Sequence, residues 1–176
     1  MNQPKHINIF DFDDTMFRTQ NFASLEPKGM TMYEWYDSER SLSPEFHIPA
    51  IENILEKARE NGNPNYLITH RKVSNKEQVL RLLSEQGCKF AEVFFCERDL
   101  NKADILSKLL AENPTIESVT IYEDSISELT KYAAILSGSK LQVTIFFVDK
   151  TKVFELPLSA IEIIRHLGKP ERIRLT

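Results

Sequence analysis

The chain has 176 residues, 41% hydrophobic and 27% charged, with a net charge of −4 and a pI near 5.6. That length suits one domain with a sizeable core and is short for two. The acidic balance argues against a protein held on nucleic acid by bulk charge, while leaving room for a local basic groove. Cys88 and Cys96 have neither metal-ligand spacing nor a secreted disulfide framework, so reduced thiols and a cytoplasmic location are expected. Met1 to His6 is polar and the apolar run after it is short, so no signal peptide and no membrane span are expected.

Ile7 to Phe10 reads as a first strand, and it runs straight into Asp11, Asp13, Asp14 and Thr15. Carboxylates beside a core are costly to desolvate, which points to a cation, a proton or phosphate chemistry. The alternative is a turn or a helix cap. Met16 to Pro44 shows no clean period and holds Phe17, Phe22, Tyr33, Trp35 and Tyr36. A structureless connection of that length is usually a lid or a binding loop. Its aromatics either cover an edge of the core or stack a nucleobase.

Ile51, Ile54, Leu55 and Ala58 mark one face of a helix over 48–61, stopped by Asn61-Gly62-Asn63-Pro64. Tyr66 to Thr69 is a second strand, followed by His70 and Arg71. Ser74 and Glu77 form a capping box for a helix that turns Val79, Leu80 and Leu83 inward and ends at Gly87. Ala91 to Phe95 is strand three. Asn101 caps the next helix, with Ile105, Leu106, Leu109 and Leu110 inward, and Asn113-Pro114 ends it. Lys102 lies in that helix's first turn, where a cation opposes the helix dipole, and such local violations often mark function.

Val119 to Tyr122 is strand four, ending in Glu123 and Asp124. A helix with Ile126, Leu129, Ala133 and Leu136 on one face follows and stops at Gly138. Leu141 to Val148 is strand five and Val153 to Leu156 a candidate short strand. Ser159 with Glu162 reads as a capping box for a last helix to about Leu167, and Lys169, Arg172 and Arg174 as a solvated tail.

Strands alternating with helices imply an α/β, three-layer Rossmann-like sandwich around a mainly parallel five-stranded sheet. The expected organisation is a single domain, 1–176, with a 16–44 insertion as a small lid and a 150–176 extension. Ligands of such sheets bind beyond the carboxyl ends of the strands. The acids of strand one, Thr69 of strand two and the acids of strand four all fall there. Asp11, Asp13 and Asp124 around one point favour Mg²⁺. One carboxylate can then attack a phosphate while another moves the leaving group's proton. Thr69 and Arg71 suit phosphate oxygens, and Lys102 suits developing negative charge.

Asp11-Phe12-Asp13-Asp14-Thr15, Thr69, Lys102 and Glu123-Asp124, in that order, resemble the motifs of haloacid dehalogenase-like phosphohydrolases across about Ile7 to Val148. The run Asp11 to Thr19 and Tyr122-Glu123-Asp124 look most like the capless polynucleotide phosphatase and RNA-repair-like branch, and Arg71 is similar to a phosphate-binding arginine of that branch. The resemblance implies Asp11 as nucleophile, Asp13 as general acid/base, and Lys102 as the residue that positions nucleophile and phosphoryl group. It implies Mg²⁺ on the Asp11 carboxylate, the Asp13 carbonyl and Asp124, with Glu123 or Glu128 as outer partner. Thr69, Arg71 and Arg18 would contact the phosphorylated substrate. The implied function is a Mg²⁺-dependent phosphomonoesterase working through an aspartyl-phosphate, on phosphorylated nucleic-acid ends (a 3′-phosphatase) or on a nucleotide or other small ester. A non-catalytic binding module is the alternative of a different class.

Overall fold

The computed structural model describes residues 4–19, 30–60, 62–96, 100–150 and 152–167. Among the described residues six strands make one sheet: β1 (His6–Phe10), β2 (Asn65–Thr69), β3 (Glu92–Phe95), β4 (Ser118–Glu123), β5 (Gln142–Asp149) and β6 (Lys152–Leu156). Their order is β3-β2-β1-β4-β5-β6. All neighbours are parallel except β6, which runs antiparallel to β5. The sheet thus has one strand more than the five expected. Its reversal begins at Lys150, whose φ of 59° is the left-handed conformation that tight hairpins use.

The alternation of apolar residues along β1 sorts the core into two layers. Phe10 packs with α2 (Glu52–Arg59) and α3 (Lys76–Glu85) on one face. Ile7 and Ile9 pack with α4 (Lys102–Glu112), α5 (Ile126–Leu136) and α6 (Leu158–Leu167) on the other. Ile51, Ile54, Leu55 and Ala58 are all buried, as their spacing predicts. Phe10 stacks on Tyr122 at 4.5 Å, and Tyr122 on Phe146 at 5.0 Å. This aromatic row, one ring per strand, locks the register of β1, β4 and β5 beneath the loops that follow them.

The largest departure from expectation is the stretch read as a structureless 16–44 connection. It contains α1 (Met32–Asp37) and a 3₁₀ turn at Glu39–Leu42. Thr31 and Glu34 form a reciprocal capping box, with Thr31 Oγ1 accepting the Glu34 N–H at 3.2 Å and Glu34 accepting the Thr31 N–H at 2.7 Å. That Thr-x-x-Glu signal was legible in the sequence. Trp35 and Leu42 are buried, and Trp35 meets Phe46 edge-on. Trp35 therefore anchors the segment to the core and has no face to offer a base. Phe22 lies outside the described residues.

Smaller corrections have local causes. A 3₁₀ turn at Val73–Asn75 precedes α3, so the cap falls at Asn75 and the Ser74–Glu77 box does not open the helix. Val79, Leu82 and Leu83 share the inward i, i+3, i+4 face, while Leu80 is exposed. Helix α6 begins at Leu158, which puts Ser159 inside its first turn rather than at the cap. The tail with Lys169, Arg172 and Arg174 lies outside the described residues. Among the described residues no helix is long and apolar enough to cross a membrane.

Candidate active site

The strand order reverses between β1 and its neighbours, and the loops after β1, β2 and β4 together with the start of α4 converge there. They line a cleft of about 930 Å³ with Asp11, Asp13, Asp14, Asp37, Glu123, Asp124 and Glu128. These seven carboxylates share it with Arg71, Lys102, Lys131 and His70, and Tyr33, Tyr36 and Ser125 complete the lining. A phosphate dianion entering such a cleft unaided is repelled.

Asp11 directly follows β1, and its N–H still donates to the Tyr122 carbonyl of β4 at 3.0 Å. The ladder therefore fixes the Asp11 backbone. The chain then folds back tightly: Met16 and Phe17 N–H groups both donate to the Phe12 carbonyl, and Asp14 N–H donates to Phe17 at 2.7 Å. Asp14 takes a positive φ of 56°, which a short polar side chain tolerates better than most. Phe12, Met16 and Phe17 bury the loop's apolar side, and Thr15 Oγ1 donates to Asp11 at 3.1 Å.

Lys102 comes from the other side of the crossover. Asn101 caps α4 by accepting the Ala103 N–H at 3.1 Å, which places Lys102 in the first turn with its side chain 3% exposed. Its Nζ donates to Asp11 at 2.6 Å and to Glu123 at 2.9 Å. Burial opposes the ammonium charge, but Asp11 and Glu123 outweigh it and hold the Lys102 pKa well above its usual value. The other Glu123 oxygen accepts the Ser125 N–H at 3.1 Å, and Ser125 caps α5. Glu123 is thus the residue that holds Lys102 in place.

One ammonium does not neutralise this group. Burial first, then the charge of Glu123, pushes the Asp11 carboxyl up to about 7 against the pull of Lys102. Burial, Glu123 and Asp11 push Asp124 up to about 10. Ligand oxygens of Asp11, Glu123 and Asp124 lie within 4.8 Å of one another. A hard, all-oxygen donor set with charge to spare fits Mg²⁺.

Asp13 lines the same cleft. Arg71 grips it, with Nη2 donating at 2.6 Å and Nε bridging both carboxylate oxygens at 3.1 and 3.0 Å. Thr19 Oγ1 donates to the same Asp13 oxygen as Nη2, at 2.6 Å. Glu128 is buried, and its Oε1 meets Lys131 Nζ at 2.5 Å and His70 Nε2 at 3.4 Å. Burial pushes the Glu128 carboxyl up, but those two partners hold it down at about 2.

The structure therefore brings Asp11, Asp13, Lys102, Arg71, Glu123 and Asp124 around one cleft. Thr69 ends β2 fully enclosed, its hydroxyl accepting the Arg71 N–H at 3.2 Å, and it does not line the cleft. Arg18 is half-buried and also absent from the lining; its backbone N–H donates to the Pro49 carbonyl at 2.8 Å. Sequence reasoning missed Asp37, the Glu123–Lys102 contact and the His70–Glu128–Lys131 cluster. Only the Glu128–Lys131 pair, three apart on a helix, carried a sequence signal.

This architecture, a mainly parallel sheet flanked by helices with the cleft at the carboxyl ends of its central strands, recurs in a solved structure. The class C acid phosphatase from Bacillus anthracis, solved with tungstate bound, shares it over 99% of this chain and 82% of that one, with a TM-score of 0.53 and 12% identity. A chain of the Pnkp1/Rnl/Hen1 complex matches 81% of this chain at a TM-score of 0.48 and 15% identity. This chain spans 47% of that one, about half its length. No family model and no curated protein sequence matches.

Proposed function

We propose that the protein is a Mg²⁺-dependent phosphomonoesterase that works through an aspartyl-phosphate on Asp11. The observation that carries this reading is the Lys102 ammonium seated between buried Asp11 and Glu123, with Asp124 beside them and Asp13 in the same cleft. Asp11, Asp124 and the Asp13 carbonyl would hold the ion, with Glu123 behind them as the support of Lys102. When bound, Mg²⁺ supplies positive charge that lets the phosphate and an ionised Asp11 approach each other.

The chain's own groups account for the rest. Lys102 fixes one Asp11 oxygen, which leaves the other, met by Thr15, to turn toward phosphorus. Lys102 also supports charge that develops on the transferring oxygens. Attack forms the Asp11 Oδ–P bond as the ester P–O bond breaks, and Asp13 gives a proton to the departing oxygen. Asp13 then takes a proton from the water that hydrolyses the acyl phosphate, and Asp11 is restored. Neither Thr69 nor Arg18 is needed for these steps.

The breadth of the cleft and a rim that includes exposed Tyr33 support a substrate larger than a simple sugar phosphate, with phosphorylated nucleic-acid ends as the finer reading. The test is turnover with Mg²⁺ on an aryl phosphate, a 3′-phosphorylated oligonucleotide and a nucleotide panel. Asp11→Asn should abolish turnover with an unchanged circular dichroism spectrum. Turnover that survives this substitution removes Asp11 as nucleophile. Preference for mononucleotides removes the nucleic-acid end.

A further inference from the structure

We infer that Arg71 is a positioning residue that holds the Asp13 carboxylate in the cleft and latches the 31–43 segment over it, and that it is not a phosphate ligand. The catalytic half of this inference rests on the phosphomonoesterase reading; the latch rests on geometry alone.

A guanidinium has five N–H groups. Nε and Nη2 face Asp13, while Nη1 donates to both the Tyr36 carbonyl and Ser41 Oγ, the latter at 2.5 Å. One Nη2 hydrogen has no acceptor among the described residues. Fork-type recognition of a phosphate needs two parallel N–H groups on adjacent nitrogens. Here every nitrogen already has a protein acceptor, and the side chain is 2% exposed. The Tyr36 ring also lies against the guanidinium, with its centroid 5.0 Å away.

The contacts of Arg71 join three parts of the chain that are far apart in sequence. Its own backbone is set by the end of β2 through Thr69. Asp13 belongs to the loop after β1, and Tyr36 and Ser41 belong to α1 and the 3₁₀ turn. Ser41 accepts from Arg71 and donates its own hydrogen to the Ser38 carbonyl at 2.9 Å. The neighbouring Lys72 adds a 3.2 Å ion pair to Asp37, one residue from Tyr36. Trp35 and Leu42 nail the same segment to the core below. The consequence for Asp13 is orientation. Thr19 and Nη2 both occupy one of its oxygens, and among the described residues the other receives only the 3.0 Å share of Nε, so that oxygen keeps capacity to pass a proton.

The test uses Arg71→Lys, Arg71→Gln and Ser41→Ala in the full chain, with two readouts. Steady-state kinetics on an aryl phosphate with Mg²⁺ should show kcat falling about 10²-fold in Arg71→Lys, with KM held within about threefold. Added guanidinium should restore part of the Arg71→Gln loss. Hydrogen exchange across 31–43 should rise about tenfold or more, with β1 and β4 unchanged. Ser41→Ala, which removes the bond from Arg71 and the hydroxyl's own bond to the Ser38 carbonyl but preserves the core, should raise exchange over the same segment with a smaller loss of kcat. A rise in KM at constant kcat, or unchanged exchange across 31–43, overturns the inference. If the wild type hydrolyses no phosphate ester, the phosphomonoesterase reading fails, and the exchange comparison still decides the latch.

Discussion

Asp124→Asn should make the metal-free protein more stable while destroying its response to Mg²⁺. Asp124 sits beside Glu123 and Asp11, and burial with those two charges raises its carboxyl from 3.8 to about 10. An acid whose folded pKa exceeds its unfolded value lowers stability progressively as pH rises above the unfolded value. At about 1.4 kcal/mol per unit, the interval from 3.8 to about pH 7.5 sets a ceiling of roughly 5 kcal/mol. Relaxation around the partly open side of the cleft reduces this, and about 2 kcal/mol is the expected gain. For a chain of this length that is roughly 4–8 °C in Tm. The assay is calorimetric or fluorescence melting of wild type and variant in EDTA, then across a Mg²⁺ titration. The wild type should also melt lower at pH 8 than at pH 6 in EDTA, with Mg²⁺ closing the gap. A variant that melts no higher than wild type in EDTA, beside a wild type indifferent to Mg²⁺, would refute the claim that the carboxylates are crowded for a cation.

Lys102→Met should leave Asp11 and Glu123 buried without their shared ammonium, costing about 3–5 kcal/mol in urea unfolding along with all turnover. Trp35→Ala removes a core anchor and should cost about 3–5 kcal/mol, whereas Tyr33→Ala, at a site 70% exposed, should stay within about 0.5 kcal/mol. Equal losses at the two sites would contradict the placement of α1. Asn101→Ala removes the α4 cap and should cost about 1 kcal/mol, read from thermal melts. Glu128, held at about 2 against a usual 4.5, stabilises the fold above pH 4.5, and that contribution disappears as pH falls toward 2. The stability gap between wild type and Glu128→Gln should therefore narrow between pH 6 and pH 3, and a constant gap would remove the His70 and Lys131 contacts as its cause.

The α/β architecture was legible because each buried strand is a short apolar run, and each helix but α1 shows its inward stripe or its stop. Asn101, Gly87 and Gly138 each sit where a cap or stop is needed. The acids that follow β1 and β4 were recognisable as site candidates because carboxylates beside a core are costly to desolvate and both groups fall at the carboxyl ends of strands. Reading failed where the signal is not periodic. A six-residue α1 is too short to display a stripe, so only its Thr31–Glu34 box announced it. Leu82 rather than Leu80 is buried because the two flank the Val79–Leu83 stripe on opposite sides, and only the packing of α3 on the sheet decides which flank turns inward.

The sequence by itself determined the order of elements and the chemical types at the strand ends, since both are encoded in neighbouring residues. Pairings across the fold were decided only in three dimensions. Lys102 meets Asp11 across 91 positions and Arg71 meets Asp13 across 58, and no local pattern specifies which acid each cation takes. Glu123 and Arg71 therefore changed meaning once folded. One supports a lysine and the other clamps a carboxylate, because a buried charge is satisfied by whatever the packing of strands and loops brings within hydrogen-bond reach.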